Sequence, residues 1–420
     1  MQRELAKQTL RLNRASLMPT ISADLEASET SQDIQQSPSI VPRLVDTNGD
    51  GIPDGVTNPD TSPRFSGTRY TLTLTQPIYR PDALRRMSQA RAGIRQKESE
   101  FGAAEQGLMV RTARALFDAL LARDNLEFVT AERAAIERQL QESEQRLGSG
   151  LGTITDVHDA RARFSDAQAR EVEADNIRSD ALLAIAEITG EIPSDLLSLS
   201  ESFPLVEPDT PEVEAWVRTA MFQNLSLKAS EAAVEIAKQE IKVQQATRLP
   251  SLSLEASIID SDSDGTLTAD AFAEVPTETR TGRLVLRLGI PIFDGGAWSA
   301  RAREAILRHQ IALQELEMQR RKIDRETRRA FMGVVTGITK ANALQQAVFS
   351  QERALESKAE RLQAGLDTGL AVLDARRELY SARRDYSQAR YVYILNSLQL
   401  KAATGSLGIQ DLREISAHLE

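Results

Sequence analysis

One phrase occurs twice in this chain, and no other feature restricts the fold as much. Residues 146–161 read RLGSGLGTITDVHDAR and residues 361–376 read RLQAGLDTGLAVLDAR, sharing Arg, Leu, Gly, Leu, Thr, Val and a closing Asp-Ala-Arg. The chain is therefore an internal duplication. In each copy glycines (Gly148, Gly150 and Gly152; Gly365 and Gly369) interrupt two long, charged, Ala-rich segments that hold no other strong breaker. That pattern predicts a helical hairpin with a tight turn at each site.

The helices that follow the turns carry a heptad seam. After the second turn one column runs Val372, Leu379, Tyr386, Tyr393, Leu400 and the other Ala375, Ala382, Ala389, Asn396. The first copy keeps the small column as Ala160, Ala167, Ala174, Ala181, while its other column, Val157, Phe164, Glu171, Arg178, Ile185, is weaker. Small residues at one seam position let neighbouring helices approach closely, so the two hairpins are expected to pack alike.

Each half also holds two alternating stretches. Ile21, Ala23, Leu25 and Ala27 alternate with Thr20, Ser22, Asp24, Glu26 and Ser28, and after a Pro/Asp/Gly/Ser-rich loop Tyr70, Leu72 and Leu74 alternate with Thr71, Thr73 and Thr75. The second half repeats the plan with Leu252, Leu254, Ala256, Ile258 and then Leu284, Leu286, Leu288, Ile290. A period of two is that of a two-faced strand. Pro19, Pro77, Pro250 and Pro291 mark the junctions between strand and helix, where proline ends a ladder or a helix. The first repeat accordingly covers residues 1–210: a helix stub, a β-hairpin at 19–76, a helical hairpin at 82–190 and a crossing segment at 191–210. The second covers 211–420: a helix at 211–249, a β-hairpin at 250–290, a helical hairpin at 294–404 and a peripheral C-terminal tail.

Four strands of about ten residues, each with one apolar and one polar face, have the length and alternation of transmembrane β-strands. Four cannot close a barrel, and an open edge in lipid leaves backbone groups unpaired. Oligomerisation is therefore expected, with three copies supplying twelve strands and Asp24, Glu26, Glu255, Arg283 and Arg287 lining a wet lumen. Tyr79 and Phe293, just past the return strands, suit a membrane interface. Each long helix would reach roughly 100 Å at about 1.5 Å per residue, far beyond a bilayer.

Composition removes several alternatives. A net charge of −10 leaves no basic surplus for nucleic acid, and the absence of cysteine excludes disulfides and Cys-ligated zinc. No run of eighteen apolar residues exists. His158, His309 and His418 are scattered, with no phosphate loop or placed nucleophile, so an enzyme is not expected. Only residues 1–18 precede Pro19 whereas a helix at 211–249 precedes Pro250; a signal peptide and further helix are expected ahead of Met1.

Two strand hairpins, two Gly-kinked tips with Thr-x-x-x-Val-x-Asp-Ala (Thr153 and Thr368 onward), and the phrase Tyr393-Ile-Leu-Asn-Ser-Leu-Gln-Leu followed by Ala-Thr-Gly-Ser-Leu give the chain a close resemblance to the TolC-type outer membrane efflux proteins. The resemblance implies a mainly α fold with transmembrane β, a homotrimer with a 12-stranded barrel in outer membrane lipid, and an α-helical tunnel in the periplasm. It also implies a passive conduit in an efflux or type I secretion system, working with a periplasmic adaptor and an inner-membrane pump. Adaptor contacts would fall at the tips, on Arg146, Leu147, Gly150, Leu151, Arg361, Leu362, Gly365 and Leu366. The family's acidic gate would fall on Asp156 and Asp374, with Asp159 and Asp367 nearby; carboxylates crowded on one axis should repel and raise each other's pKa. The chain departs from the pattern at Leu362, Asp367 and Ala371. No cofactor is implied.

Two acidic runs resemble the first half of a calcium loop: Asp46, Asn48, Asp50, Gly51 and Asp54, and Asp260, Asp262, Asp264 and Gly265. Extracellular loops holding Ca²⁺ are the corresponding expectation, with solvated acidic turns as the other reading. The competing overall reading is a soluble periplasmic adaptor or coiled-coil scaffold, which would have helical hairpins but no use for four two-faced strands.

Overall fold

The computed structural model describes residues 1–31, 43–45, 51–52, 55–57, 64–200, 202–266 and 277–419. The chain forms two compact units, each taking material from both sequence halves: Met1–Ile94 with Ala233–Ile311, and Arg95–Ala232 with Ala312–Glu420.

The first unit is built on a four-stranded antiparallel sheet. After α1 (Gln2–Ala15) come β1 (Thr20–Ser31), the short paired strands β2 (Arg43–Val45) and β3 (Gly55–Thr57), then β4 (Arg64–Tyr79). β5 (Ser251–Thr266) and β6 (Thr277–Gly289) complete the sheet in the order β1-β4-β5-β6. The two expected hairpins are thus joined by β4–β5 pairing, leaving β1 and β6 as open edges. One rung runs Ile21, Leu74, Ala256, Leu284 and the next Ser22, Thr73, Ser257, Arg283. The apolar columns therefore share one face and the polar columns the other, until Asp260, Asp262 and Asp264 continue the apolar column of β5 toward the hairpin ends. Ile21, Leu25, Leu284, Leu286 and Leu288 on the apolar face are exposed in the single chain.

The strands are longer than the alternation predicts. β4 begins at Arg64, not Tyr70, and does not end at Pro77: it continues to Tyr79 through a register shift between those residues. Proline is tolerated there because the irregular rung needs no N–H from it. β5 runs on through Asp260, Asp262 and Asp264, so this second acidic run is strand rather than loop.

The second unit is helical. It holds most of α2 (Pro81–Gly148) and α6 (Ala297–Gln363), all of α3 (Ile154–Thr189), α4 (Val213–Gln223), α7 (Gly369–Ala403) and α8 (Ile409–Ser416), and the start of α5 (Leu225–Ala246). The helix expected at 211–249 is broken at Asn224, whose backbone leaves the helical region at φ −56°, ψ 126°. Its side chain stabilises the break: Oδ1 accepts from the Leu227 N–H at 2.9 Å, capping α5, and Nδ2 donates to the Ala403 carbonyl at 2.9 Å.

The seam columns face inward. Ala160, Ala167 and Ala174 are buried on α3, and Ala375, Leu379, Ala389, Tyr393 and Leu400 on α7. Asn396, at the foot of the small column, sits over Gly333 of α6, where an added Cβ would come within 2.7 Å of its amide; one turn on, Gly337 meets Tyr393. A side chain at either glycine would crowd α7, most at Gly333, where the Asn396 amide would have to move. The core centres on Phe117, Leu120, Phe331, Tyr391 and Ile394, with Phe117 and Tyr391 stacked 5.1 Å apart. Leu196, Leu199, Phe203 and Leu205 of the crossing segment pack on it. The C-terminal tail, expected to be peripheral, does the same: Leu412, Ile415 and Leu419 cover the core, and Leu419 bridges to Leu199. The apolar spacing of Leu412 and Ile415 on α8 was the overlooked signal.

Candidate functional site

The two tips close in the same way. Gly150 and Gly365 both adopt φ +74°, and each ends its helix with a paired set of reversed bonds. Gly150 N–H donates to the Leu147 carbonyl at 2.9 Å and Leu151 N–H to Arg146 at 2.8 Å; in the second tip Gly365 donates to Leu362 at 3.0 Å and Leu366 to Arg361 at 2.8 Å. This is a Schellman stop, which needs a left-handed residue that only glycine supplies without strain. It explains why Gly150 recurs as Gly365 at the same place in the phrase. Leu151 and Leu366 are left projecting, at 75% and 71% exposure.

Thr153 and Thr368 then start α3 and α7. Both sit at φ −105° and accept from the backbone N–H three residues on, Asp156 and Ala371, at 3.2 Å. The first tip completes a capping box, the Thr153 N–H donating to Asp156 Oδ2 at 3.1 Å. In the second, Ala371 cannot reciprocate, and Asp367 accepts from the Thr368 N–H instead at 2.9 Å while lying 3.5 Å from Arg361.

The four acids proposed for the gate thus do different things. Asp156 and Asp367 are engaged in capping. Hydrogen bonding to Thr153, through its side chain and then its backbone N–H, holds the Asp156 carboxyl below its ordinary range, with Arg146 adding to the pull. Within one chain this is the opposite direction to the rise expected from mutual repulsion. Asp159 and Asp374 occupy equivalent places in the two copies, one residue before Ala160 and Ala375. Asp374 is exposed and borders a groove of about 390 Å³ between α2, α3 and α7, together with Arg163, Arg377 and Tyr380.

Since the folded-state pKa of Asp156 is lowered, its cap contributes above the unfolded value and is lost as pH falls through the folded one. A spin label at Leu151→Cys should become more mobile only at pH below the ordinary aspartate range, and Asp156→Ala should make it mobile already at neutral pH. An unchanged spectrum in both would mean the cap does not order the tip.

Sequence reasoning missed a stripe of arginines along α7. Arg377 approaches Glu132 of α2 at 3.8 Å, and Arg384, seven residues on, lies over Phe128 of α2 at 5.4 Å. Arg383 reaches Glu352 of α6 at 2.7 Å. The stripe was visible as Arg-Arg pairs at heptad spacing. Within the first hairpin, Arg161 pairs with Glu144 at 2.8 Å and Arg133 with Glu171 at 2.7 Å.

The calcium readings fare unevenly. Asp46, Asn48, Asp50 and Asp54 lie outside the described residues; Gly51 does have the positive φ, +84°, of a turn. Asp260, Asp262 and Asp264 extend along one face of β5, and Asp260 is engaged by Arg280 at 2.7 Å. A strand spaces such side chains roughly 7 Å apart, too far to converge on one ion. Among the described residues no group of acidic or histidine side chains is arranged to hold a metal. No helix among them is long and apolar enough to cross a membrane.

The family model for outer membrane efflux proteins matches residues 1–191 and 216–406. The chain is 34% identical to the outer membrane protein TolC of Vibrio cholerae serotype O1 over 362 residues, covering 86% of this chain and 82% of that protein. It is 26% identical to the proteases secretion protein PrtF of Dickeya chrysanthemi, covering 99% and 86%. In fold it is similar to the Campylobacter jejuni CmeC outer membrane channel, with a TM-score of 0.73 at 18% identity over 100% of this chain and 85% of that one.

Proposed function

Because the chain belongs to the outer membrane efflux protein family, we propose that it is the outer membrane conduit of an efflux or type I secretion system, assembled as a trimer. The observation that carries this reading is the sheet: one face bare and apolar, the other polar, both edges unpaired. Water would not favour the bare face, and lipid would not tolerate the edges. Three copies resolve both problems, giving twelve strands with Leu284, Leu286 and Leu288 toward lipid and Asp24, Glu255 and Arg283 toward a wet lumen. A soluble scaffold leaves that face unexplained.

The helical unit then forms the periplasmic tunnel, with the tips at one end of it. Leu151 and Leu366, held outward by identical stops, suit docking of a periplasmic adaptor, which links the conduit to an inner-membrane pump. Asp374 and its repeat mate Asp159 supply acid near the constriction. The α7 links to Glu132 and Phe128 set the spacing of the two hairpins there, so opening must slide or break them.

Particle mass in detergent tests the assembly. The protein should disperse as three chains of 46.3 kDa each. A stable detergent-solubilised monomer with its full β content would overturn the trimer.

A further inference from the structure

We infer that the sheet closes between protomers in one particular register, with Arg287 on β6 of one protomer opposite Asp24 on β1 of the next; this rests on the trimer proposed above. Two independent features of the sheet lead to the same alignment.

The first is the slope of the apolar band. The rung Ile21, Leu74, Ala256, Leu284 is common to all four strands. On β1 the apolar column starts at this rung and continues through Ala23 and Leu25 to Ala27, toward the hairpin ends. On β6 it runs the other way, from Leu284 through Leu286 to Leu288, toward the helices. β5 is intermediate, its column spanning Leu252 to Ile258. The band therefore crosses the rungs obliquely, its centre moving by about five residues over the three steps from β1 to β6, as it must where tilted strands cross a flat membrane. Continued one strand beyond β6, the same slope sets Leu288 opposite Ala23, Leu286 opposite Leu25 and Leu284 opposite Ala27. An unsloped continuation would set Leu284 opposite Ile21 and leave Leu286 and Leu288 facing residues before Thr20, where β1 has not begun. A slip of one residue would put apolar columns against polar ones.

The second is charge. On the polar face the β1 edge carries only acids, Asp24 and Glu26, and the β6 edge only bases, Arg283 and Arg287. In the sloped register Arg287 faces Asp24, with Glu26 on its diagonal, and Arg283 faces Ser28 and is diagonal to Glu26. Both arginines thus bracket both acids, at the separations over which cross-strand pairs interact. Among the described residues Asp24 and Arg283 have no ion-pair partner within the chain, while Arg287 is held in place by Glu255 at 3.2 Å. Edges of opposite sign also disfavour β1–β1 and β6–β6 contacts, so only head-to-tail closure into a ring is served.

The sequence contains no cysteine, which gives disulfide trapping a clean background. Asp24→Cys with Arg287→Cys, and on the lipid face Leu25→Cys with Leu286→Cys, should each oxidise to a ladder ending at a covalent trimer on non-reducing gels. Asp24→Cys with Arg283→Cys should not, because four residues of offset exceed the roughly 7 Å a disulfide can span. Trimers by mass that link only through the Asp24/Arg283 pair, or through none of the three, overturn the register while leaving the trimer standing. A monomer by mass, with no links, removes the assembly reading itself.

Discussion

Phe117→Ala should destabilise the helical unit by about 3–5 kcal/mol, the cost of a large aromatic removed from a packed core. Phe117 is 1% exposed and stacks on Tyr391, with Leu120, Ile394 and Phe331 in the same cluster. These residues come from α2, α6 and α7, so no single helix can shift to fill the space left behind. Tyr391→Phe is the useful comparison. It keeps the ring and removes only the hydroxyl that donates to Asp124 at 3.3 Å, and Asp124 retains Arg123 at 3.2 Å. The expected cost is about 1 kcal/mol, that of one ordinary hydrogen bond. Burial, and then Asp124, push the Tyr391 phenol well above its usual range, so this bond persists through the alkaline conditions where exposed tyrosines ionise. Denaturant unfolding followed by helicity gives both values. A Phe117→Ala variant within 1 kcal/mol of the parent would mean that the cluster is not the centre of stability.

The second large effect concerns the tip. In a trimer Asp374 contributes three carboxylates, and Asp159, its counterpart in the duplication, three more. A ring of this kind attracts cations and binds multivalent ones that bridge its members. Asp374→Ala should therefore weaken block by di- or trivalent cations added from the periplasmic side by roughly tenfold or more, and lower selectivity for cations. Asp156→Ala should instead act on the order of the tip, because its carboxylate is committed to the Thr153 cap. A change at the exposed Glu378 serves as control. If Asp159→Ala with Asp374→Ala leaves selectivity and block untouched, the constriction lies elsewhere in the tunnel.

How much of this was legible in the sequence depends on the range of the information involved. The Schellman stops could be read directly, since Arg146, Leu147 and Gly150 recur as Arg361, Leu362 and Gly365 and a helix stop is a local event. The alanine columns were equally plain. Strand lengths were not: the Asp-Ser alternation of residues 260–264 has low intrinsic strand preference, and pairing with β4 and β6 on both sides overrides it. The break at Asn224 depends on a carbonyl at Ala403, far away in sequence, and no local signal announces such a partner. At the tips, the sequence named four acids together without distinguishing what each does locally. Separating Asp156 from Asp374 needed the observation that one caps a helix while the other borders a groove. The slope of the apolar band was hidden for a related reason, because each strand shows its own column but only the rungs show how the columns are offset.

Conductance across a planar bilayer bears most directly on the central claim. Purified protein added to one side should insert as discrete, water-filled, cation-selective channels whose current falls when multivalent cations reach the tips. A preparation that keeps its helicity and sheet content in detergent yet never raises the conductance would contradict the account.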